Sequence, residues 1–206
     1  MTLPGRLRAA LYDALLARSE HAGLAARRAE LLAQARGHVL EIGAGTGLNF
    51  RHYPPDAELT LTEPDAAMRA RVKSRSRRQT KVEVVDASAE QLPFRNRSFD
   101  TVVSTLVLCS VDDPAQALAE IRRVLKPDGR LLLLEHVRSR EQRRARTQDA
   151  LSRPWRMLSG GCHCNRDTVN ALTNAGFRVA SLEHGALPKA PAFLRPLIIG
   201  FVTAEP

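Results

Sequence analysis

Five short aliphatic runs, most of them parted by helical patterns, constrain this chain more than any other feature. HVLEI (38–42), ELTLT (58–62), KVEVV (81–85), FDTVVSTL (99–106) and RLLLLEHV (130–137) each have strand length and are dominated by branched or leucine side chains. A helical pattern, PDAAMRARVKSR (64–75), stands between the second and third runs, and another, PAQALAEIRRVL (114–125), between the fourth and fifth. Strands that are apolar on both faces must be covered on both faces, and a helix between successive strands brings the chain back to start a parallel neighbour. Two later runs, FRVASLEH (177–184) and LIIGFVTA (197–204), bring the strands to seven. The expectation is an α/β fold: one doubly wound, mostly parallel sheet with helices on both faces. Aromatic residues are only 4% of the chain, so Leu, Val, Ile and Ala must fill the core. A length of 206 residues fits one domain.

Finer punctuation follows from local chemistry. Leu7, Leu11, Leu15 and Leu16 share one helical face, and a second helix continues after Gly23 and ends at Gly37. Pro64 suits the first turn of its helix, and Asp113 is placed to cap the next. KPDG (126–129) reads as a turn. The arginine-rich stretch 138–156 reads as a helix interrupted by Pro154, and Asn165 as the cap of a helix reaching Ala175.

The segment LEIGAGTGLNF (40–50) runs a strand into Gly43, Gly45 and Gly47, with a helix expected near Leu48. Glycines permit a sharp turn and a close backbone approach to a ligand. The spacing is G-x-G-x-G, not the G-x-G-x-x-G of dinucleotide folds, and no P-loop lysine follows. Glu63 ends the second strand, where a carboxylate can accept hydrogen bonds from both hydroxyls of a ribose.

The glycine turn, the acid after the second strand, SAEQLPF (88–94), SFDTVVS (98–104) and RRVLKPDGRLLLLEHV (122–137) occur in an order that resembles the class I S-adenosylmethionine-dependent methyltransferases. The resemblance implies their Rossmann-like fold and S-adenosyl-L-methionine as cofactor. It implies that Glu41, Gly43, Gly45 and Gly47, with Asn49, hold the methionine end. Glu63, beside Pro64, would take the ribose. Ala89 would offer its N–H to the adenine, with Ser88 and Glu90 flanking it, and Thr105 and Leu106 would floor the sulfonium site. Many relatives carry Asp where Ser88 stands, and a hydroxyl accepts that hydrogen bond without charge assistance.

GTGLNFRHYPP (45–55), STLVLCSVDDP (104–114), GGCHCNRDTVNALTNAGF (160–177) and LRPLIIG (194–200) are similar to a narrower group, the alkyl thiol S-methyltransferase-like proteins. Their animal members carry an apolar N-terminal anchor, a pattern from which this N-terminus departs. The group implies a small-molecule acceptor, with a thiol as one candidate. A free thiol of pKa about 8.5 is already partly ionised near neutrality and needs no strong base. An amine acceptor, as in phosphatidylethanolamine-type N-methylation, and a non-catalytic cofactor-binding protein are the other readings. RNA methylation is encouraged only by charge.

Three residues are candidates for the acceptor side. His136 follows the fifth strand, at the sheet edge where open α/β folds bind ligands. Cys162 and His163 follow Gly160 and Gly161, which bend the chain after the arginine-rich stretch, so that 138–164 forms a lid and 1–36 an N-terminal helical segment. Adjacent Cys162, His163 and Cys164 cannot readily converge on one ion, and C-x-x-C spacing is absent, so no metal is expected from this stretch. Cys109 reads as a small apolar filler. The net charge of +9 reflects abundant arginine. No aromatics interleave with the basic residues, which argues against nucleic acid. The basic runs 69–81 and 138–146 leave peripheral contact with an anionic membrane open. Three cysteines and no apolar leader point to a cytoplasmic protein of unspecified oligomeric state.

Overall fold

A computed structural model describes residues 5–77 and 81–204. Seven strands form one sheet in the order β3-β2-β1-β4-β5-β7-β6. They are β1 (His38–Ile42), β2 (Glu58–Thr62), β3 (Val82–Val85), β4 (Phe99–Thr105), β5 (Leu125–His136), β6 (Phe177–Ala186) and β7 (Pro196–Ala204). The first five are mutually parallel; β7 runs antiparallel between β5 and β6. The chain leaves β1 toward β2 on one side and later returns to add β4 on the other. The sheet order therefore reverses between β1 and β4, and a crevice opens at their carboxyl ends.

The aliphatic runs work as two-sided strands. Val39, Val103, Leu132 and Leu134 pack on one face with Leu24, Leu31 and Leu32. Leu40, Val102, Leu131 and Leu133 pack on the other with Leu118, Ile121 and Leu172. Successive side chains alternate faces, so a near-continuous apolar run supplies both cores at once.

Six α-helices cover the sheet: α1 (Gly5–Ser19), α2 (Ala25–Leu32), α3 (Ala66–Ser76), α4 (Pro114–Val124), α5 (Gln142–Ser159) and α6 (Thr168–Asn174). Asp113 caps α4 as expected, accepting from the N–H groups of Ala115 and Gln116. Elsewhere the punctuation differs. Gly23, at φ 118°, breaks the path between α1 and α2, and α2 stops at Leu32, short of Gly37. Asp65, not Pro64, begins α3: its carboxylate accepts from Ala67 and Met68. Asp167, not Asn165, caps α6, while Asn165 donates to Asp149. The helix expected near Leu48 is only a 3-10 turn over Phe50–His52. Pro54 explains this, because it excludes helical geometry at Tyr53, which lies at φ −73°, ψ 148°. Pro154 does not stop α5, which runs to Ser159. The carbonyl that Pro154 leaves unbonded belongs to exposed Ala150, where water can serve it. KPDG lies within β5, taken up as an irregularity in the β4–β5 register and fastened by the ion pair of Lys126 with Asp100 at 2.8 Å.

The side chains of Leu7, Leu11 and Leu15, and residues 78–80 of the basic run, lie outside the described residues. Among the described residues no helix is long and apolar enough to cross a membrane.

Candidate active site

The crevice begins where β1 turns at Gly43, Gly45 and Gly47, all at positive φ (54°, 57° and 83°). The three glycines do different jobs. A Cβ at Gly43 would strike the Val107 side chain at 2.8 Å, and one at Gly47 would strike Val72 at 2.8 Å. Those two permit packing. A Cβ at Gly45 would meet only ordinary contacts, Tyr12 Cε1 at 3.9 Å and Gly43 O at 4.0 Å, so packing does not require a glycine there and a small space lies beside it, bordered by Tyr12.

Two buried carboxylates flank that space. Glu63 accepts from the Gly45 N–H through Oε2 and from the Asp65 N–H through Oε1, each at 2.8 Å. It thus holds the glycine turn in place while each oxygen keeps a further lone pair. Burial raises its pKa, against the pull of these two N–H groups. Glu41 is 2% exposed; Asn49 Nδ2 donates to its Oε1 at 2.9 Å and Tyr53 donates to its Oε2 at 2.7 Å. Burial pushes its pKa up to about 7 even so.

Asn49 is the hub of this end. Its amide also donates to Thr105 Oγ1 at 2.8 Å, and its carbonyl accepts from Arg28 Nη1 at 2.8 Å. Arg28, itself 2% exposed, is paired with Glu20 at 2.9 Å. Tyr12, Arg28, Glu41, Gly43, Asn49 and Thr105 line one small polar pocket. Asp13 then binds α1 across the turn: Thr46 donates to it, and Arg71 and Arg75 of α3 pair with it at 2.9 and 3.0 Å. Sequence reasoning found Glu41, Asn49 and Thr105 but not Tyr12, Asp13 or Arg28. Nothing in the spacing of an amphipathic helix marks which arginine will turn inward.

The other predicted cofactor residues lie farther along the same sheet edge. Ala89 is buried and Ser88 half-buried; Glu90 accepts from the Asp112 N–H, and Pro64 is exposed. Leu106 stands at φ 60°, directly after β4. Its turn is pinned by Glu135, whose Oε1 accepts from Ser104 Oγ and from the N–H groups of Val107 and Leu108.

The acceptor-side candidates separate. Cys162 turns inward, its Sγ lying 3.6 Å from Cys109 Sγ and 3.6 Å from His136 Nδ1. All three residues are buried. His163 does not join them; its ring lies near Arg166 and Arg156, and burial together with those charges lowers its pKa. Its backbone N–H donates to Cys109 O at 2.6 Å, tying the two loops together. Cys109, expected only as filler, is thus a member of the cluster. The proton shared with Cys109, with help from His136, lowers the Cys162 pKa, and the same pairing raises that of Cys109. Gln148 of α5, fully buried, ties α5 to three neighbouring segments: its amide donates to the carbonyls of Val137, Cys164 and Phe193, and its Oε1 accepts from the Ser139 N–H.

Comparison with known proteins identifies the family and the fold. The methyltransferase domain family matches residues 40–133. Thiol S-methyltransferase TMT1A of Homo sapiens is 35% identical over 168 residues, covering 79% of this chain and 69% of the relative. Thiol S-methyltransferase TMT1B of Homo sapiens is 31% identical over 200 residues, covering 91% and 82%. The crystal structure of an S-adenosylmethionine-dependent methyltransferase from Thermotoga maritima superposes with a TM-score of 0.68 at 24% identity, over 96% of this chain and 94% of the other, a likeness of fold.

Proposed function

The chain belongs to the class I S-adenosylmethionine-dependent methyltransferases, in the branch that includes the thiol S-methyltransferases, and from that premise we propose that it methylates a thiol on a small molecule. The observation that carries the cofactor half of this reading is the left-handed Gly45 turn, which packing does not require to be glycine and which Glu63 holds by its N–H, at the point where the sheet order reverses. The residues present fit the cofactor. Glu63 has lone pairs left for two ribose hydroxyls. Arg28 and Glu41, both lining the small pocket around Asn49, offer a cation to a carboxylate and a carboxylate to an ammonium group, the two charged ends of a methionine moiety. Ser88, Ala89 and Glu90 border the adenine side, beyond Glu63 and Pro64. Thr105, anchored by Asn49, and Leu106 form the floor.

When bound, S-adenosylmethionine supplies an electrophilic methyl group on a cationic sulfur. The protein's own part is to orient the acceptor in line, hold it near contact distance and keep water out. The cluster of Cys109, His136 and Cys162 suits a soft, polarisable acceptor, and a thiol ionises near neutrality without a strong base. Incubation with methyl-labelled cofactor and a panel of thiols, amines and phenols tests the reading. Label on thiols is expected; label on amines or phenols and never on thiols removes the thiol acceptor.

A second reading concerns where the acceptor is met. Met157 and Leu158 are 84% and 82% exposed at the end of α5, beside Arg153 and Arg156. Apolar side chains among arginines suit the surface of an anionic bilayer. Flotation with anionic vesicles at low and high salt checks it: the Met157→Ser, Leu158→Ser double variant should float less than the parent, and equal flotation removes this reading.

A further inference from the structure

Cys109, His136 and Cys162 come from three separated segments, yet their ligand atoms all lie within 4.8 Å of one another. Cys109 sits on the loop after β4. That loop is fixed from below by Glu135 and from above by Arg166, which donates to the carbonyls of Leu108 and Val111 at 2.6 and 2.7 Å. His136 is the last residue of β5. Cys162 follows Gly160 and Gly161, at φ 75° and 118°, and its N–H donates to Ser159 Oγ. A Cβ on Gly161 would come within 3.3 Å of Ser110 O, so the absence of one lets the two loops close on each other.

We infer that these three side chains form a binding site for one thiophilic divalent cation, zinc by its chemistry. A tetrahedral zinc ion with Zn–S near 2.3 Å and Zn–N near 2.0 Å sets its sulfurs about 3.8 Å apart and each sulfur about 3.5 Å from the nitrogen. The Cys109–Cys162 Sγ separation and the Cys162 Sγ–His136 Nδ1 separation are both 3.6 Å, and the third pair, Cys109 with His136, lies within 4.8 Å and would have to draw in slightly around an ion. The donor set, two sulfurs and an imidazole with no carboxylate, selects against magnesium and calcium. The site is buried, but two thiolates cancel the two charges of the ion. Both thiol protons leave to solvent as it binds, and the imidazole stays neutral. Among the described residues the His136 ring has no other fixed partner. It is 7% exposed, its Nε2 has no hydrogen-bond partner, and its Nδ1 faces only the Cys162 sulfur. A metal bond at Nδ1 would fix that ring. Three protein ligands leave the fourth tetrahedral position for an exogenous group, as in open zinc sites. The site stands whether or not the methyl acceptor is a thiol.

The test is a cobalt(II) titration of the full chain, purified under reductant, stripped with chelator and kept anaerobic. Cobalt reports thiolate ligation by a sulfur-to-metal charge-transfer band and tetrahedral geometry by its visible d–d bands. The expected result is saturation at one equivalent and displacement by zinc with an apparent Kd below about 1 μM. The charge-transfer band should weaken in Cys109→Ser and in Cys162→Ser and vanish in the double variant. It should persist in Cys164→Ser, because that thiol lies outside the cluster. His136→Gln should shift the d–d bands. Circular dichroism of each variant confirms folding, and the wild-type titration needs no variant. Absence of the charge-transfer band, its survival in the double variant, or its loss in Cys164→Ser overturns the site. Loss of two thiols in air with no cobalt band in the reduced protein also overturns it, and assigns the pair to a disulfide, whose sulfurs would have to close to about 2.05 Å.

Discussion

On the β1–β2 side of the crevice, Glu41, Gly45, Asn49 and Glu63 fall within one stretch of chain and are bonded to each other's neighbourhoods: Glu63 to Gly45, Asn49 to Glu41. On the β4–β5 side, Cys109, His136 and Cys162 arrive from three segments, whose loops are held across the fold by Glu135, Gln148 and Arg166. The first side is polar, with every carboxylate oxygen of Glu41 and Glu63 engaged. The second is soft, with a sulfur pair and an imidazole. The difference teaches that a local motif can build a binding surface by backbone geometry alone, whereas a pocket wall made of long-range contacts depends on the whole sheet and on what clamps the loops above it.

The contrast can be broken most sharply at Gly45. Gly45→Val crowds the turn beside Tyr12 and forces a branched side chain into left-handed backbone geometry. Cofactor affinity should fall more than about 100-fold, a loss above about 2.7 kcal/mol. The melting temperature should fall by only a few degrees, and calorimetry with a thermal scan separates the two effects. Gln148→Ala attacks the other side. It strands three carbonyls and one N–H in the interior, so unfolding free energy should drop by roughly 2–4 kcal/mol in denaturant titration, with cofactor affinity nearly unchanged. Equal damage to both readouts would mean that the two sides are not separable.

Glu63→Ala should weaken cofactor binding by about 1–3 kcal/mol, the scale of hydrogen bonds to a charged group. Unchanged affinity by calorimetry would show that the ribose is held elsewhere. Glu41 adds a pH signature. Its folded pKa, about 7, lies above the ordinary 4.5, so this group's burial costs the fold nothing below that lower value and progressively more as pH rises toward 7. A cationic ligand favours the ionised form. Cofactor affinity should therefore rise with pH up to about 7 and level off above it, with proton release on binding below that point. Glu41→Gln should flatten the profile. The smallest effect belongs to Asp13→Asn at the exposed edge. Loss of its ion pairs with Arg71 and Arg75 should cost under about 1 kcal/mol, yet cofactor dissociation measured by stopped flow should speed up and lose its salt dependence.

What could be read from the sequence follows the same divide. Strands β1 and β2 stand at the residues their aliphatic runs indicated, because a two-sided buried strand has to be written as contiguous apolar residues. The glycine turn and Glu63 were legible because backbone strain and strand-end position leave local marks, whereas Glu41 was implied only by the family resemblance. The missing helix after Gly47 was written in Pro54, whose effect reaches back only one residue and is easily overlooked. Arg28, Gln148 and Cys109 left no local mark. An inward-facing arginine or glutamine has the same spacing as an outward one, and a cysteine becomes a partner only when another loop arrives opposite it.

Strand β7 carries a consequence for how the chain comes to be folded. It is the last of the seven strands to leave the ribosome, yet it sits inside the sheet, bonded along its length to both β5 and β6. Until it emerges, β5 and β6 each present an unpaired edge, open to pairing with another nascent chain. Assembly of this half must therefore wait for β7, while β1 to β4 can already be paired. A chain halted between β6 and β7 would hold a formed β1–β4 half with an incomplete sheet beside it.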